Sequence, residues 1–220
     1  MEKNFLTISH VDISIDSLLS ALHVDAEEES AEDIRAMHRA AMEIARPVAL
    51  YAPFPPEVRG GAVVLNGVTL KEPFVHKMIS NCNLVVPYVA SCGREIEAWS
   101  RSFTDIFNQF VADTLKQMCL GVIREKLFGE VKEKYFDPEK SVSTINPGSL
   151  KEWPITGQRP LFQILGGVTD DIGVALTDSL LMMPTKSVSG IIFQTERAYH
   201  NCQLCPRTDC PGRRVPYAGD

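Results

Sequence analysis

Three of the chain's six cysteines, Cys202, Cys205 and Cys210, fall within nine residues near the C-terminus, in the spacing C-x2-C-x4-C. A thiolate is a soft ligand, and two thiolates separated by two residues can clamp one metal centre. Iron–sulfur clusters and zinc both use such loops. Pro206 and Pro211 follow the second and third cysteines and Gly212 follows Pro211, a composition that suits a folded-back loop and no helix or central strand. Arg207, Arg213 and Arg214 would offset the negative charge of a thiolate-ligated centre. We therefore expect Cys202, Cys205 and Cys210 to hold one centre, an iron–sulfur cluster ahead of zinc. The fourth position stays open. His200 would complete a Cys3His zinc site, whereas Cys82, Cys92 or Cys119, a partner or a small ligand would supply a different fourth ligand. The competing reading is a redox-inert loop of free or disulfide-bonded cysteines.

The rest of the sequence places little chemistry on side chains. There is no phosphate loop and no G-x-S-x-G elbow, and the Gly-Gly pairs at 60–61 and 166–167 lack a dinucleotide-binding context. The five histidines are scattered, without the spacing of a zinc protease. A binding or redox role, with the chemistry residing in a cofactor, fits better. A net charge of -6 argues against a nucleic-acid partner. No apolar run is long enough to span a membrane and the first residues do not read as a signal peptide, so a cytoplasmic protein is expected. In that compartment the cysteines should be thiols or metal ligands.

The elements that must position these residues follow in chain order. Loose alternation over 5–15 predicts a strand, and Leu18, Leu19 and Leu22 a short helix. Ser30 and Asp33 resemble a capping box opening a helix that Pro47 ends. Residues 48–52 read as a strand. Asn66-Gly67 between 62–65 and 68–70 predicts a hairpin with a type I′ turn. A short helix over 74–79 and a strand over 84–90 follow, the latter placed at an edge or bulge by Pro87. Gly93 marks a strand-to-helix turn where the backbone approaches a ligand or another element.

The longest helical pattern spans 104–135, with Phe107, Phe110, Val111, Leu115, Met118, Val122 and Leu127 on its apolar face, Cys119 as a core thiol and Gly121 as a possible break. After it come a short β segment at 142–145, the turn Asn146-Pro147-Gly148-Ser149, a strand over 172–176 broken by Pro184, and a strand over 187–193. Trp153 reads as a core or interface aromatic and Asp178 as a turn residue. Hairpins beside helices, without regular βαβ units, make the class α+β. No linker marks a domain boundary. The natural division is 1–199 and a cysteine-rich tail, 200–220.

Leu176-Thr177-Asp178-Ser179, Met182-Met183-Pro184 and Ser187-Val188-Ser189-Gly190 together resemble the activation (reactivation) domain of cobalamin-dependent methionine synthase, where the equivalent run reads like L-T-E-S-x-x-M-x-P-x-x-S-V-S-G. The resemblance is firm over 141–199. It places Asn146-Pro147-Gly148-Ser149 at the family's P-G-Y turn and Tyr199 at its tyrosine past the S-V-S-G strand. It implies a C-shaped α+β domain around a twisted antiparallel sheet. It also implies S-adenosylmethionine binding, in support of returning cob(II)alamin on a partner protein to methylcobalamin. Asn146, Gly148, Ser149, Ser189, Gly190 and Tyr199 are the binding residues it implies. Two positions depart from the family. Its arginine four residues before the glycine is Thr144, and its tyrosine after the glycine is Ser149.

The cysteine tail is similar to that of free-standing relatives in anaerobes, where reductive activators carry iron–sulfur centres. The expected partner is a cobalamin-binding methionine synthase or another corrinoid protein, with flavodoxin or ferredoxin as electron donor. The alternatives are an iron–sulfur activator that does not bind S-adenosylmethionine and a zinc-stabilised interaction module.

Overall fold

In the computed structural model, residues 2–196, 198–207, 209–210, 213 and 215–218 are described. The first strand, β1 (Asn4–Thr7), leads into α1 (Ile15–Leu22), α2 (Ser30–Ile44) and β2 (Val48–Tyr51). A small sheet of β3 (Glu57–Arg59), β4 (Ala62–Leu65) and β5 (Val68–Leu70) follows, then α3 (Pro73–Ile79), β6 (Val85–Ser91) and α4 (Arg94–Ser100). The long α5 (Ile106–Tyr135) precedes β7 (Ser141–Ile145), α6 (Gln158–Leu165) and α7 (Val168–Ile172). The two-residue strands β8 (Ala175–Leu176) and β9 (Met182–Met183) come before β10 (Ser187–Thr195).

The main sheet has the order β1-β2-β6-β10-β7, and every pairing in it is antiparallel. Alternate residues face opposite sides, as a pleated strand requires. Leu50, Val85, Val89, Ile145, Ile191 and Phe193 pack under α6, α7 and the small sheet. Ala49, Tyr51, Val86, Tyr88, Ala90 and Ile192 pack under the second half of α5, against Leu120, Ile123, Leu127 and Val131. The first half of α5 serves another core, in which Val111, Ala112, Leu115 and Cys119 meet α1, α2 and α4. At about 1.5 Å per residue, a helix of this length reaches far enough to serve both. Asp105 caps it, accepting from the Asn108 N–H at 2.8 Å.

The α+β class stands, and so does the hairpin: Asn66 and Gly67 have φ of 49° and 77°. Several finer expectations do not. The first strand ends at Thr7, and α2 starts without a side-chain cap. Pro87 lies in the middle of the sheet, not at an edge. Its carbonyl accepts from Ala52 N–H at 3.2 Å, on the side its missing N–H would also face, where β2 has already ended. Gly121 leaves α5 unbroken.

The buried face of α5 runs through Ala112, Ile123 and Val131, while Phe107 and Phe110 are exposed. Residues 158–165 form a helix because Pro160 sits in its first turn, where the missing N–H has no intrahelical partner. Of the strand expected over 172–176 only Ala175 and Leu176 form β8, because Ile172 ends α7 and Gly173 and Val174 link the two. Trp153 is fully buried, as a core aromatic. Gly93 does approach another element, since a Cβ there would stand 2.3 Å from the Arg46 carbonyl oxygen.

Candidate functional site

The turn that ends β7 is held by one side chain. Asn146 Nδ2 donates to the Ser189 carbonyl at 2.8 Å and to the Tyr88 hydroxyl oxygen at 2.9 Å. Its Oδ1 accepts from Asn201 Nδ2 at 3.2 Å. Asn146 therefore ties three strands and the start of the tail together. Gly190 makes this possible. A Cβ there would stand 2.4 Å from Asn146 Nδ2 and 3.0 Å from the Tyr88 ring, so only glycine lets Tyr88 reach across β10. Gly148 has φ of 80°, and its N–H donates to the Trp153 carbonyl at 2.7 Å. These contacts fold the segment after the turn back over the sheet.

Two clefts flank the turn, and Ser149 lines both. The smaller, of about 240 Å³, is the more polar of the two and lies between α5, β7, Val188 of β10 and the tail, with Arg124, Thr144, Asn146, His200, Asn201 and Cys202 on its walls. The larger, of about 1020 Å³, is more apolar and lies between α3 and the tail, with Phe74, Tyr199, Leu204, Pro206 and Tyr217 on its walls. Tyr199 is placed by its own N–H, which donates to Ser143 Oγ at 2.8 Å, and by its ring, which lies 6.5 Å from that of Phe74. Burial first, then the charges of Glu152 and Cys202, push its hydroxyl up to about 12. Among the described residues four buried polar atoms here have no hydrogen-bond partner: Tyr199 Oη, Ser189 Oγ, Asn201 Oδ1 and Arg124 Nε.

The tail winds around Arg213. Its guanidinium donates to the carbonyls of Cys202 at 2.9 Å, Cys205 at 2.9 Å and Val215 at 3.1 Å, and also to that of Arg207. Arg213 is thus spent on main-chain carbonyls, not held free beside the thiols. Cys202, Cys205 and Cys210 are half-buried free thiols. Among the described residues no three of His, Cys, Asp or Glu are gathered as a metal site. Pro211, Gly212 and Arg214 lie outside the described residues. Cys92 and Cys119 are sealed in the helical core, where burial pushes both thiols up to about 12, so neither serves as a fourth ligand in this fold. Cys82 is packed beside α3, and burial raises its thiol too.

The family model for the activation domain of vitamin B12 dependent methionine synthase matches residues 74–210. The chain belongs to this activation-domain family. The match is wider than the stretch on which the resemblance rests, running from α3 through the turn, β10 and Tyr199 to Cys210. Among solved structures the activation-domain fold is matched by the crystal structure of the MetH reactivation domain bound to AdoHcy. The TM-score is 0.65 at 16% identity, over 91% of this chain and 80% of that one. No curated protein gives a sequence match.

Of the binding residues expected for this activation domain, Asn146, Ser149 and Tyr199 line the clefts. Gly148, Ser189 and Gly190 lie behind them, Ser189 and Gly190 both buried in β10. Sequence reasoning missed Arg124, which reaches the small cleft from α5. The one available signal was Thr144, which leaves a cleft-lining position of the turn strand without a cation.

Proposed function

We propose that this chain is a stand-alone activation protein for a cobalamin-dependent methionine synthase or a related corrinoid methyltransferase. It supports reductive, S-adenosylmethionine-linked reactivation of cob(II)alamin. The observation that carries the reading is the convergence of the 146–149 turn with the segment from Tyr199 to Cys202. These pieces come from the middle and the end of the family match and line two clefts that keep unpaired buried polar atoms. Such atoms cost free energy unless a ligand or water meets them.

In this reading Asn146, Ser149 and Tyr199 contact the ligand, while Ser189, Gly148 and Gly190 support them from behind and keep the backbone close. S-adenosylmethionine supplies a methyl group, the partner supplies the cobalamin, and flavodoxin or ferredoxin supplies the electron. We place the protein in the cytoplasm and treat 1–199 as the activation unit and 200–220 as its tail.

The test is calorimetry with S-adenosylmethionine together with reductive methylation of cob(II)alamin on the synthase, with and without this protein. Saturable binding that Gly148→Val removes is expected. Valine there would need a positive φ, and its Cβ would stand 2.8 Å from Ile155 Cδ1. A reactivation rate indifferent to the protein would reject the reading.

A second reading is favoured by the tail. Three free, half-buried thiols stand within nine residues, and Cys202 lies on the wall of the small cleft. Here Cys202, Cys205 and Cys210 hold an iron–sulfur cluster, and the protein acts as a redox activator without S-adenosylmethionine. The described side chains are not gathered for this, so the loop would have to close on the metal. Anaerobic reconstitution with iron and sulfide decides it, by a visible chromophore that Cys205→Ala lacks. Stoichiometric zinc without colour would point to a zinc-stabilised interaction module.

A further inference from the structure

Arg124 lies where the small cleft meets the sheet, and among the described residues it makes no hydrogen bond and no ion pair. Its Nε is buried and unpartnered. Its guanidinium stands 5.9 Å from the ring centroid of Phe128, one turn further along α5. Phe128 in turn packs edge-on against Tyr88, with ring centroids 5.8 Å apart. The arginine is thus steered by an aromatic pair, and the Tyr88 hydroxyl of that pair holds Asn146. A guanidinium offers donors in a planar fork that matches a carboxylate.

Across the same cleft Asn201 has the opposite need. Its Nδ2 is committed to Asn146, while its Oδ1 is buried with no donor. A cationic fork without an acceptor and an amide oxygen without a donor share a cleft of about 240 Å³. That is room for about eight waters at about 30 Å³ each. These are the complementary halves of an amino-acid head group, whose carboxylate needs a donor fork and whose ammonium needs an acceptor.

We propose that the small cleft is an α-amino-acid subsite in which Arg124 anchors the carboxylate and Asn201 Oδ1 accepts from the ammonium. The proposal rests on the ligand reading above and assigns its amino-acid end to this cleft. Arg124 thereby fills from a helix the cationic role that Thr144 leaves vacant on the strand. Ser149 lines both clefts, so a ligand anchored here extends past it into the larger, aromatic-lined cleft.

The test is calorimetry on the full chain with three probes: S-adenosylmethionine, L-methionine, and L-methionine amide, which lacks the carboxylate. Wild type should bind the first two and bind the amide at least tenfold more weakly than methionine. Arg124→Met should lose at least tenfold in affinity for both carboxylate-bearing probes, with Arg124→Lys between. Because Arg124 has no hydrogen-bond or ion-pair partner among the described residues, and methionine can still pack on the Phe128 ring, the melting temperature of unliganded Arg124→Met should stay close to that of wild type. The ligand-induced rise in melting temperature should shrink with the affinity.

Wild-type binding of S-adenosylmethionine that Arg124→Met leaves intact overturns the anchor and spares the ligand reading. Methionine binding that needs Arg124, without S-adenosylmethionine binding, upholds the subsite and sinks the ligand reading. Wild type that binds no carboxylate-bearing probe overturns both.

Discussion

Asn146 Nδ2 donates to the hydroxyl of Tyr88 across the whole width of β10, and it does so over the bare backbone of Gly190. A double-mutant cycle with Asn146→Ala and Tyr88→Phe should therefore give a coupling of about 0.5–1.5 kcal/mol by denaturant unfolding. Gly190→Ala should cost about 1–3 kcal/mol, because its Cβ meets the Asn146 amide and the Ile145 carbonyl, and neither can move freely. An alanine variant as stable as wild type would remove Gly190 from this role.

Behind the sheet, Glu97 and Lys116 form a buried ion pair at 3.1 Å, with Thr185 donating to the same carboxylate oxygen. Burial alone would raise the Glu97 carboxyl, but the hydrogen bonds from Lys116 and Thr185 prevail and hold it below its usual range. A carboxylate depressed on folding contributes stability above its unfolded pKa, and that stability is lost as pH falls through the folded value. Wild type should thus lose more stability than Glu97→Gln on acidification below the ordinary carboxylate range, read as melting temperature against pH. Lys116→Met, which leaves the carboxylate to Thr185 and Arg101 alone, should cost about 1–3 kcal/mol near neutral pH.

Tyr199→Phe should leave the stability of the unliganded chain unchanged within about 0.5 kcal/mol, since the hydroxyl has no protein partner to lose. If that hydroxyl meets the ligand, the same variant should weaken S-adenosylmethionine binding several-fold. With the phenol pushed up to about 12, binding should show no Tyr199 titration between pH 8 and about 11. Equal affinity in the two proteins would take Tyr199 out of the contact set.

Arg213 holds the tail through carbonyls of Cys202, Cys205, Arg207 and Val215. Arg213→Ala should open that loop, so limited proteolysis should cut the variant earlier within 200–220 while the melting transition of the body stays in place. Simultaneous loss of both would mean that the tail and the body unfold as one unit.

Local signals decided local structure. Asn66-Gly67 supplies two positive φ angles at adjacent residues, so the hairpin was readable with no knowledge of its surroundings. The run of Thr177, Met182, Pro184 and the Ser187 strand was specific enough to place the family, because it constrains many positions over a short span.

What needed the tertiary structure was everything set by neighbours distant in sequence. Pro87 reads as a residue of an edge or a bulge, yet it is tolerated in a central strand because β2 ends beside it. Periodicity drew one apolar stripe on α5, whereas the helix serves two cores with different faces, leaving Phe107 and Phe110 to solvent. The spacing of the cysteines was legible, but not that Arg213 would occupy the centre of their loop, nor that Cys92 and Cys119 would be sealed in the core. Arg124 is separated from Asn146 by the end of a helix and a strand, and from Asn201 by most of the sheet's last half. No spacing rule joins such residues. Only the packing of α5 over the sheet, chiefly on β1, β2 and β6 with Ile192 of β10, brings this guanidinium to the turn that the sequence had already marked.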